Sequence, residues 1–452
     1  MRTLLSRRGF FETATAGSLA LSSIGVARLT PTVYAAEASR PALLGGTPVR
    51  TGAWTPWPQW REAWASPILE VLRSGKWYRE SGQRVAEFEA AYARLLGATA
   101  CLATTSGTTA LIVGLHVLDV DAGDEVIVSP YTFIASYNAI LSCKALPVLA
   151  DTDPATMTID PASIESRITE RTRAIMPVHI FGMPCDMDPI LAVARKHQLS
   201  VIEDACQAWL AEYKGRKCGT IGDLGCFSFQ ESKHIPSGEG GAITSMRQEL
   251  VDRSNAFHNC GHGTGAFQGN GFFTRGNNYR MTEVQAALLA VQVEKLVKET
   301  EIRRGNADYL GAQLGTIPGI TTVRLPTDSR AVWHLYPFRY DATQFNGLTR
   351  DQFARAVSAE GVPCGGVYHE QYFDGLLDEA IASRGYKRLW GADRLKTYRE
   401  SFQALKGNKQ VCETTVAITQ NMLLGDRRDM DQIAEAVRKI QTNSAALAKA
   451  AR

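Results

Sequence analysis

Leu199-Ser200-Val201-Ile202-Glu203-Asp204 is a short apolar run that ends on two acidic residues, and it belongs to a repeated pattern. Between about Ala100 and Ser245, similar apolar runs alternate with amphipathic segments that are long enough to form helices. Near-continuous apolar strands separated by helices are typical of a mostly parallel sheet covered on both faces. The pattern therefore predicts an α/β fold.

The predicted elements follow one another along this region. The strands are Glu125–Val128, Leu146–Ala150, Ala174–Val178 and Val201–Asp204, and the helices are Thr108–Leu118, Ile134–Cys143, Pro161–Ile168 and Met187–His197. In sheets of this kind a ligand binds at the carboxyl ends of the strands. Asp204, Phe133 and the turn Ser106-Gly107-Thr108 come just after such ends, which makes them candidates for a binding site.

A lysine beside a glycine-rich turn lies further along the chain. Phe227-Ser228-Phe229-Gln230-Glu231-Ser232-Lys233 is followed by Gly238-Glu239-Gly240-Gly241. A lysine can form a Schiff base, an aspartate such as Asp204 can hold a pyridinium nitrogen, and glycine turns can hold a phosphate. Each feature is common by itself, but in this order they predict pyridoxal 5'-phosphate as the cofactor.

The length of 452 residues favours two domains over one core. We predict a large domain over residues 36–300 and a smaller C-terminal α+β domain over residues 301–440. A long helix from Thr282 to about Arg304 is predicted to connect them. Residues 441–452, which are rich in alanine and lysine, are predicted to form a flexible tail.

Residues 1–35 have the layout of an export signal. Ser6-Arg7-Arg8-Gly9-Phe10-Phe11 precedes an apolar run from Ala14 to Ala27, and Val33-Tyr34-Ala35 matches a small-x-small cleavage site. Paired arginines before phenylalanine are similar to a twin-arginine signal, which predicts an exported or periplasmic protein. The alternative is a frayed N-terminal helix in a cytoplasmic protein. The apolar run is too short for a comfortable membrane span, and no membrane span is predicted in the mature chain.

The charge balance excludes some partners. The 49 Lys+Arg and 46 Asp+Glu residues give a net charge of +3. Residues 1–35 carry all of it, because four arginines there oppose only Glu12. A neutral mature chain gives no electrostatic support for binding nucleic acid or an anionic membrane. The nine cysteines show no Cys-x-x-Cys spacing, so we predict no zinc or other metal site and no disulfide framework.

From Leu43 to about Ile440 the chain resembles the DegT/DnrJ/StrS-type sugar aminotransferases, which are pyridoxal phosphate-dependent transferases of fold type I. The landmarks that carry the resemblance are Ser106-Gly107-Thr108-Thr109-Ala110-Leu111, Pro130-Tyr131-Thr132-Phe133, Glu203-Asp204-Ala205-Cys206-Gln207-Ala208, the segment around Lys233, and Gly276-Asn277-Asn278-Tyr279-Arg280-Met281. The resemblance implies a mostly parallel central sheet in a large domain with a smaller C-terminal domain.

The resemblance also implies roles for residues around the cofactor ring. Lys233 would hold the cofactor and move a proton, and Asp204 would pair with the pyridine nitrogen. Asp204 has an alternative reading as a helix N-cap. Gln207 matches a position near the ring hydroxyl, and Phe133 would stack on the ring face. Tyr131 competes with Phe133 for that stacking role.

A second set of residues is predicted to hold the phosphate. The backbone N–H groups of Gly107 and Thr108 stand at a predicted helix start, which is a favourable place for an anion. The hydroxyls of Thr108 and Ser228 would add further donors. Asn278 matches an asparagine that in this family crosses from the neighbouring subunit, which implies a homodimer with shared active sites.

The resemblance therefore implies an aminotransferase that moves an amino group from glutamate or glutamine to a keto-sugar or keto-cyclitol. A same-fold dehydratase or deoxygenase is one alternative, although in that branch a histidine replaces the lysine and here His234 is only adjacent to Lys233. A non-catalytic ligand-binding or sensory homologue is the other. Val367-Tyr368-His369-Glu370-Gln371-Tyr372 lacks the Pro-Leu pair that family members often carry, so the wall facing the substrate departs from the family pattern.

Overall fold

The computed structural model describes residues 39–450, so the predicted signal at residues 1–35 lies outside the described residues. The strands are β1 (Ala100–Thr104), β2 (Glu125–Val128), β3 (Leu146–Leu149), β4 (Thr172–Met176), β5 (Ser200–Asp204), β6 (Glu212–Tyr213), β7 (Arg216–Lys217), β8 (Leu224–Ser228), β9 (Gly241–Ser245), β10 (Ile320–Thr322), β11 (Ser329–Arg330), β12 (Leu335–Tyr340) and β13 (Thr415–Thr419).

The helices are α1 (Ala65–Ser74), α2 (Arg84–Leu96), α3 (Gly107–Val117), α4 (Ala135–Ser142), α5 (Pro161–Ile164), α6 (Met187–His197), α7 (Gln248–His258), α8 (Glu283–Ala290), α9 (Val293–Leu314), α10 (Arg350–Ala359), α11 (Leu376–Ala382), α12 (Arg384–Glu400), α13 (Lys406–Thr414), α14 (Arg427–Thr442) and α15 (Ser444–Ala450). None of these helices, all within residues 39–450, combines the length and the apolar character needed to cross a membrane.

The central sheet has seven strands in the order β1-β9-β8-β5-β4-β2-β3. The run from β8 to β3 is parallel throughout, whereas β9 pairs antiparallel with both β8 and β1. This arrangement confirms the predicted α/β fold with a mostly parallel sheet. It also brings the carboxyl ends of β5 and β8 side by side, since Asp204 pairs with Cys226.

The four predicted strands and the four predicted helices of this region are present, but three strands of the sheet were not predicted. These are β1, β8 and β9, and the last two contain glycine, which is depleted in strands. Tertiary packing outweighs this local preference. On one face, Tyr92 of α2 makes edge-to-face contacts with Phe227 and Phe229, with ring centroids 5.4 and 5.5 Å apart.

The predicted long helix from Thr282 to Arg304 is wrong in one respect, because the chain forms two helices there. The α8 helix ends at Ala290 and α9 begins at Val293. The buried side chain of Gln292 donates from Nε2 to the carbonyl of Leu288 and to the carbonyl of Pro236, both at 2.8 Å. The side chain thus takes up the hydrogen-bonding capacity of a carbonyl in α8. It also connects the break between the two helices to the segment that follows Lys233.

A smaller antiparallel sheet, in the order β10-β12-β13, lies in the C-terminal part of the chain. The domain boundaries near residues 300 and 440 stay predictions. Residues 441–452 were predicted to form a flexible tail, but α15 covers most of this segment and buries Leu447. A leucine in an alanine-rich helix supplies the apolar contact that the composition alone does not reveal.

Candidate active site

Asp204 ends β5 and is buried at the carboxyl edge of the sheet. Its Oδ2 accepts a hydrogen bond from the hydroxyl of Ser136 at 2.7 Å, and its Oδ1 accepts from the backbone N–H of Cys206 at 3.2 Å. These donors hold the carboxylate in one orientation. The Cys206 hydrogen bond closes a local turn, but the chain continues into turns and not into a helix, so the alternative of a helix N-cap is wrong. The Ser136 hydrogen bond is long-range and aims the carboxylate.

Lys233 lies on a tight turn just after β8. The turn is closed by backbone hydrogen bonds, among them Lys233 N–H to Gln230 O at 2.8 Å. The Lys233 Nζ lies 3.5 Å from His334 Nε2 and 5.8 Å from the ring centroid of Trp209. Trp209 is itself fixed, since its Nε1–H donates to the carbonyl of Ser228 at 3.0 Å. The half-buried amine is therefore held between a histidine and an indole.

The start of α3 packs tightly against the ends of β5 and β8. Ser106 caps this helix by accepting from the N–H of Thr109. A Cβ added to Gly107 would lie 2.7 Å from the Sγ of Cys206 and 2.7 Å from the Cβ of Ser228. Only glycine allows this approach, which places the predicted phosphate donors Gly107 and Ser228 together. Helix N-termini favour anions through their free N–H groups and dipole.

Phe133 and Tyr131 have different environments. Tyr131 is fully buried, with edge-to-face ring contacts to Phe181 and Tyr368 at 5.7 and 5.3 Å between centroids. Phe133 is 38% exposed on the turn that leads into α4, the helix that carries Ser136. Of the two aromatic candidates, Phe133 is therefore the ring with an accessible face.

Gln207 is buried and its amide has a defined orientation. Its Oε1 accepts from the backbone N–H of Phe181 at 2.7 Å, and its Nε2 donates to the hydroxyl of Tyr368 at 3.1 Å. Asn278 is placed differently, because it is exposed on a segment that runs beside the loop between β1 and α3. Its Oδ1 accepts from the N–H of Arg280 at 3.5 Å.

The sequence reasoning missed four side chains that contact the predicted residues: Ser136, Trp209, His334 and Tyr368. Tyr368 lies in the stretch that lacks the family's Pro-Leu pair, Ser136 lies in the predicted helix Ile134–Cys143, and Trp209 follows Asp204 by five residues. The distance along the chain to their partners hid them, since Tyr368 is 161 residues from Gln207.

Glu203, the neighbour of Asp204, points to the other face of β5 because side chains alternate along a strand. Glu203, His179 and Cys218 each offer one ligand atom, and these atoms lie within 4.8 Å of one another, so the three side chains could hold a metal ion. The Glu203 carboxylate already accepts from the N–H groups of Gly219, Ile221 and Gly222 and contacts His179 Nε2. Because these partners already occupy the carboxylate oxygens, we interpret the cluster as one that stabilises the fold.

The described residues around Asp204 fit pyridoxal 5'-phosphate. A helix N-terminus with close-packed glycine suits the phosphate, an accessible phenyl ring suits the pyridine face, and a buried carboxylate suits the ring nitrogen. Lys233 supplies the amine that can bond to the aldehyde. Burial and the nearby charge of Asp204 raise the pKa of the Cys206 thiol, so this cysteine stays protonated beside the site.

Comparison with known proteins matches this chain to one family. The sequence model of the DegT/DnrJ/EryC1/StrS aminotransferase family matches residues 59–383, which contain all the predicted site residues. The chain belongs to the DegT/DnrJ/EryC1/StrS aminotransferase family. It is therefore an aminotransferase, and its fold is that of the fold type I transferases.

Individual relatives show how far the similarity extends. The chain is 35% identical over 418 residues to L-glutamine:2-deoxy-scyllo-inosose aminotransferase of Streptoalloteichus tenebrarius, covering 88% of this chain and 97% of the relative. It is 39% identical over 308 residues to GDP-perosamine synthase of Caulobacter vibrioides, covering 68% and 81%. A solved aminotransferase from Psychrobacter cryohalolentis superposes with a TM-score of 0.76 at 31% identity, covering 87% and 100%.

Proposed function

We propose that this protein is a pyridoxal 5'-phosphate-dependent transaminase that converts a ketone of a cyclitol or sugar into an amine. When bound, the cofactor supplies an electron sink for the carbon that loses its proton. Lys233 Nζ would bind the cofactor and, once the amino donor displaces it, would take the proton from the α-carbon of the donor. Asp204 holds the ring nitrogen, and Gly107, Thr108 and Ser228 hold the phosphate.

The observation that carries this proposal is that Lys233, Asp204 and Gln207 occur together in a chain matched over 88% of its length by L-glutamine:2-deoxy-scyllo-inosose aminotransferase. Asp204 and Lys233 both lie close enough to Cys206 for their charges to act on its thiol. A binding or sensory protein has no need for an amine, a carboxylate and an amide in this arrangement.

The environment of His234 argues against the dehydratase alternative. His234 is fully buried and packs on the ring of Trp209 at 4.9 Å between centroids. Burial and the charge of Arg303 lower the pKa of its imidazole well below the usual value, so it is neutral. The residue at the site position is Lys233, as transamination requires.

We further propose L-glutamine as the amino donor and a keto-cyclitol as the acceptor. The support is the name of the full-length relative, L-glutamine:2-deoxy-scyllo-inosose aminotransferase. The sugar nucleotide relative, GDP-perosamine synthase, matches a smaller share of this chain.

The test follows the nitrogen. The purified protein with pyridoxal 5'-phosphate is incubated with a keto-inositol and glutamine that carries ¹⁵N either at the α-amino group or at the side-chain amide. We expect mass spectrometry to find ¹⁵N in an aminocyclitol only from the α-labelled donor, because transamination moves that nitrogen. Glutamate as donor and a keto-sugar as acceptor are run in parallel. Loss of water from the ring without nitrogen transfer would establish the dehydratase instead.

We also propose a homodimer in which Asn278 completes the phosphate site of the partner. The support is the exposure of Asn278 on the same segment as Phe272 and Phe273, which are 78% and 49% exposed. Exposed large apolar side chains of this kind are typical of a surface that another subunit covers.

Mixing two inactive variants tests the shared site. Asn278→Ala and Lys233→Ala should each be inactive, because each removes one contribution to every site. After subunit exchange, half of the dimers should contain one intact site, which restores about a quarter of wild-type activity. Asn277→Ala serves as the neighbouring control. Activity that stays at zero in the exchanged mixture, with dimers verified by mass, would place Asn278 and Lys233 in the same subunit's site.

We propose export through the twin-arginine route, on the support of Arg7-Arg8, the short apolar run and Val33-Tyr34-Ala35. This route carries folded proteins, which suits an enzyme that acquires its cofactor and its partner in the cytoplasm.

Export is tested by replacing the paired arginines. Arg7→Lys/Arg8→Lys should leave active, uncleaved protein in the cytoplasm, whereas Arg2→Lys should leave export unchanged. The exported wild type should begin between Ala36 and Ser39, which N-terminal sequencing of cell fractions measures. Wild-type protein that begins at Met1 or Arg2 and occurs solely in the cytoplasm of the native host would overturn the export proposal.

A further inference from the structure

Tyr368, on the C-terminal side of the chain, binds a residue that the proposed function places at the cofactor. The backbone N–H of Phe181 can only donate, so the atom of Gln207 that faces it at 2.7 Å is the amide oxygen. The amide nitrogen must then face Tyr368, to whose hydroxyl it donates at 3.1 Å. An amide nitrogen carries two N–H groups, so Gln207 can donate to Tyr368 and to a ligand together.

The hydroxyl of Tyr368 is held in place by its ring. The ring lies parallel to that of Phe181, with an interplanar angle of 2° and centroids 5.8 Å apart. Tyr131 contacts it edge to face at 5.3 Å. Because Phe181 also donates to Gln207, one small group of residues sets both the position of the amide and its orientation.

A second chain of hydrogen bonds reaches Asp204. A carboxylate oxygen can only accept, so Ser136 donates its hydroxyl proton to Asp204 Oδ2 at 2.7 Å. Ser136 Oγ must then accept from Thr132 Oγ1, which lies 2.7 Å away. The carbonyl of Thr132 accepts in turn from Gln371 Nε2 at 2.6 Å. The four side chains are buried, which strengthens hydrogen bonds and raises the cost of losing one.

We propose that Tyr368 and Ser136 are positioning residues of this aminotransferase. Tyr368 orients Gln207 and Ser136 orients Asp204, the two residues that the proposed function places at the ring hydroxyl and the ring nitrogen of the cofactor. The segment from Tyr368 to Gln371, where the family's Pro-Leu pair is missing, thereby connects the C-terminal part of the chain to both cofactor-facing residues. This inference rests on the proposed use of pyridoxal 5'-phosphate.

The two variants that test it each remove one hydroxyl and little else. Tyr368→Phe keeps the ring contacts but leaves the Gln207 amide without its acceptor. Ser136→Ala removes the donor to Asp204. Because hydrogen bonds to buried polar or charged groups are involved, we expect each variant to weaken cofactor binding and to lower kcat by about tenfold or more. KM for the amino donor should change less than kcat.

Matched controls separate positioning from the general loss of a hydroxyl, at the buried Tyr372 and at the exposed Ser142. Tyr372→Phe removes the hydroxyl that donates to Glu370 at 2.8 Å, and Ser142→Ala removes one on the same helix as Ser136 that donates to the Asn138 carbonyl. Both controls should keep wild-type affinity for pyridoxal 5'-phosphate. They should also keep its kcat.

The deciding measurement is the difference in Tm between the protein with and without pyridoxal 5'-phosphate. A residue with only a structural role would not change this difference. We expect the cofactor to raise the Tm of the wild type and of the controls by the same amount, and to raise it less in Tyr368→Phe and Ser136→Ala. Equal cofactor affinity, equal Tm gain and kcat within about twofold of wild type in both variants would overturn the proposal. A wild type that gains no Tm from the cofactor would instead overturn the proposed function, so the two failures are distinct.

Discussion

Lys233→Ala is expected to lower turnover by at least about 10⁴-fold, which corresponds to about 5.5 kcal/mol of transition-state stabilisation. The variant loses the amine that binds the cofactor and carries the proton. The turn around it is closed by backbone hydrogen bonds, such as Lys233 N–H to Gln230 O, which alanine retains. We therefore expect normal folding, measured by Tm without cofactor, together with weak non-covalent retention of pyridoxal 5'-phosphate.

Borohydride reduction of the wild type identifies the lysine directly, because reduction makes the bond between the amine and the cofactor permanent. Peptide mapping should find the pyridoxyl label on Lys233. Lys214→Ala is the matched control, since Lys214 is an exposed lysine paired with Asp188 at 2.7 Å, and it should retain wild-type turnover. A label on another lysine would contradict the assignment of Lys233.

Asp204→Asn is expected to lower kcat by about 10³-fold or more, or about 4 kcal/mol, with a smaller loss of cofactor affinity. The substitution keeps the shape of the side chain but removes the negative charge that holds a protonated ring nitrogen. The new amide can still accept from the N–H of Cys206, and the Ser136 hydroxyl can rotate to accept from its nitrogen. The local fold should therefore survive.

Asp223→Asn is the control for this second prediction. Asp223 accepts from the N–H of Val201 at 2.8 Å, near the start of β5, while Asp204 stands at its end. A loss confined to Asp204→Asn assigns the effect to the cofactor edge of the sheet. If kcat of Asp204→Asn stayed within about tenfold of wild type, roughly 1.4 kcal/mol, Asp204 would serve only to close its local turn and another residue would have to hold the ring nitrogen.

Much of the fold could be predicted because strand and helix periodicity is local. The strand ending at Asp204 and the helix Met187–His197 are present at the predicted positions. The strand β8, which leads to Lys233, was missed because Gly225 and Ser228 weaken the local signal and only its neighbours in the sheet stabilise it. The break at Gln292 was missed for a similar reason, since its amide binds the carbonyl of Pro236, 56 residues away.

The sequence by itself determined which functional groups are present, namely an amine, a carboxylate and an amide in a fixed order. It could do so because residue types and short spacings are local properties of the chain. Only the tertiary structure decided how these groups are aimed. Ser136 is 68 residues from Asp204, and Tyr368 is 161 residues from Gln207, so no local pattern pairs them. The first pairing exists because a parallel sheet brings distant strand ends together at one edge. The second exists because the C-terminal part of the chain packs against that edge, where buried polar groups must find partners.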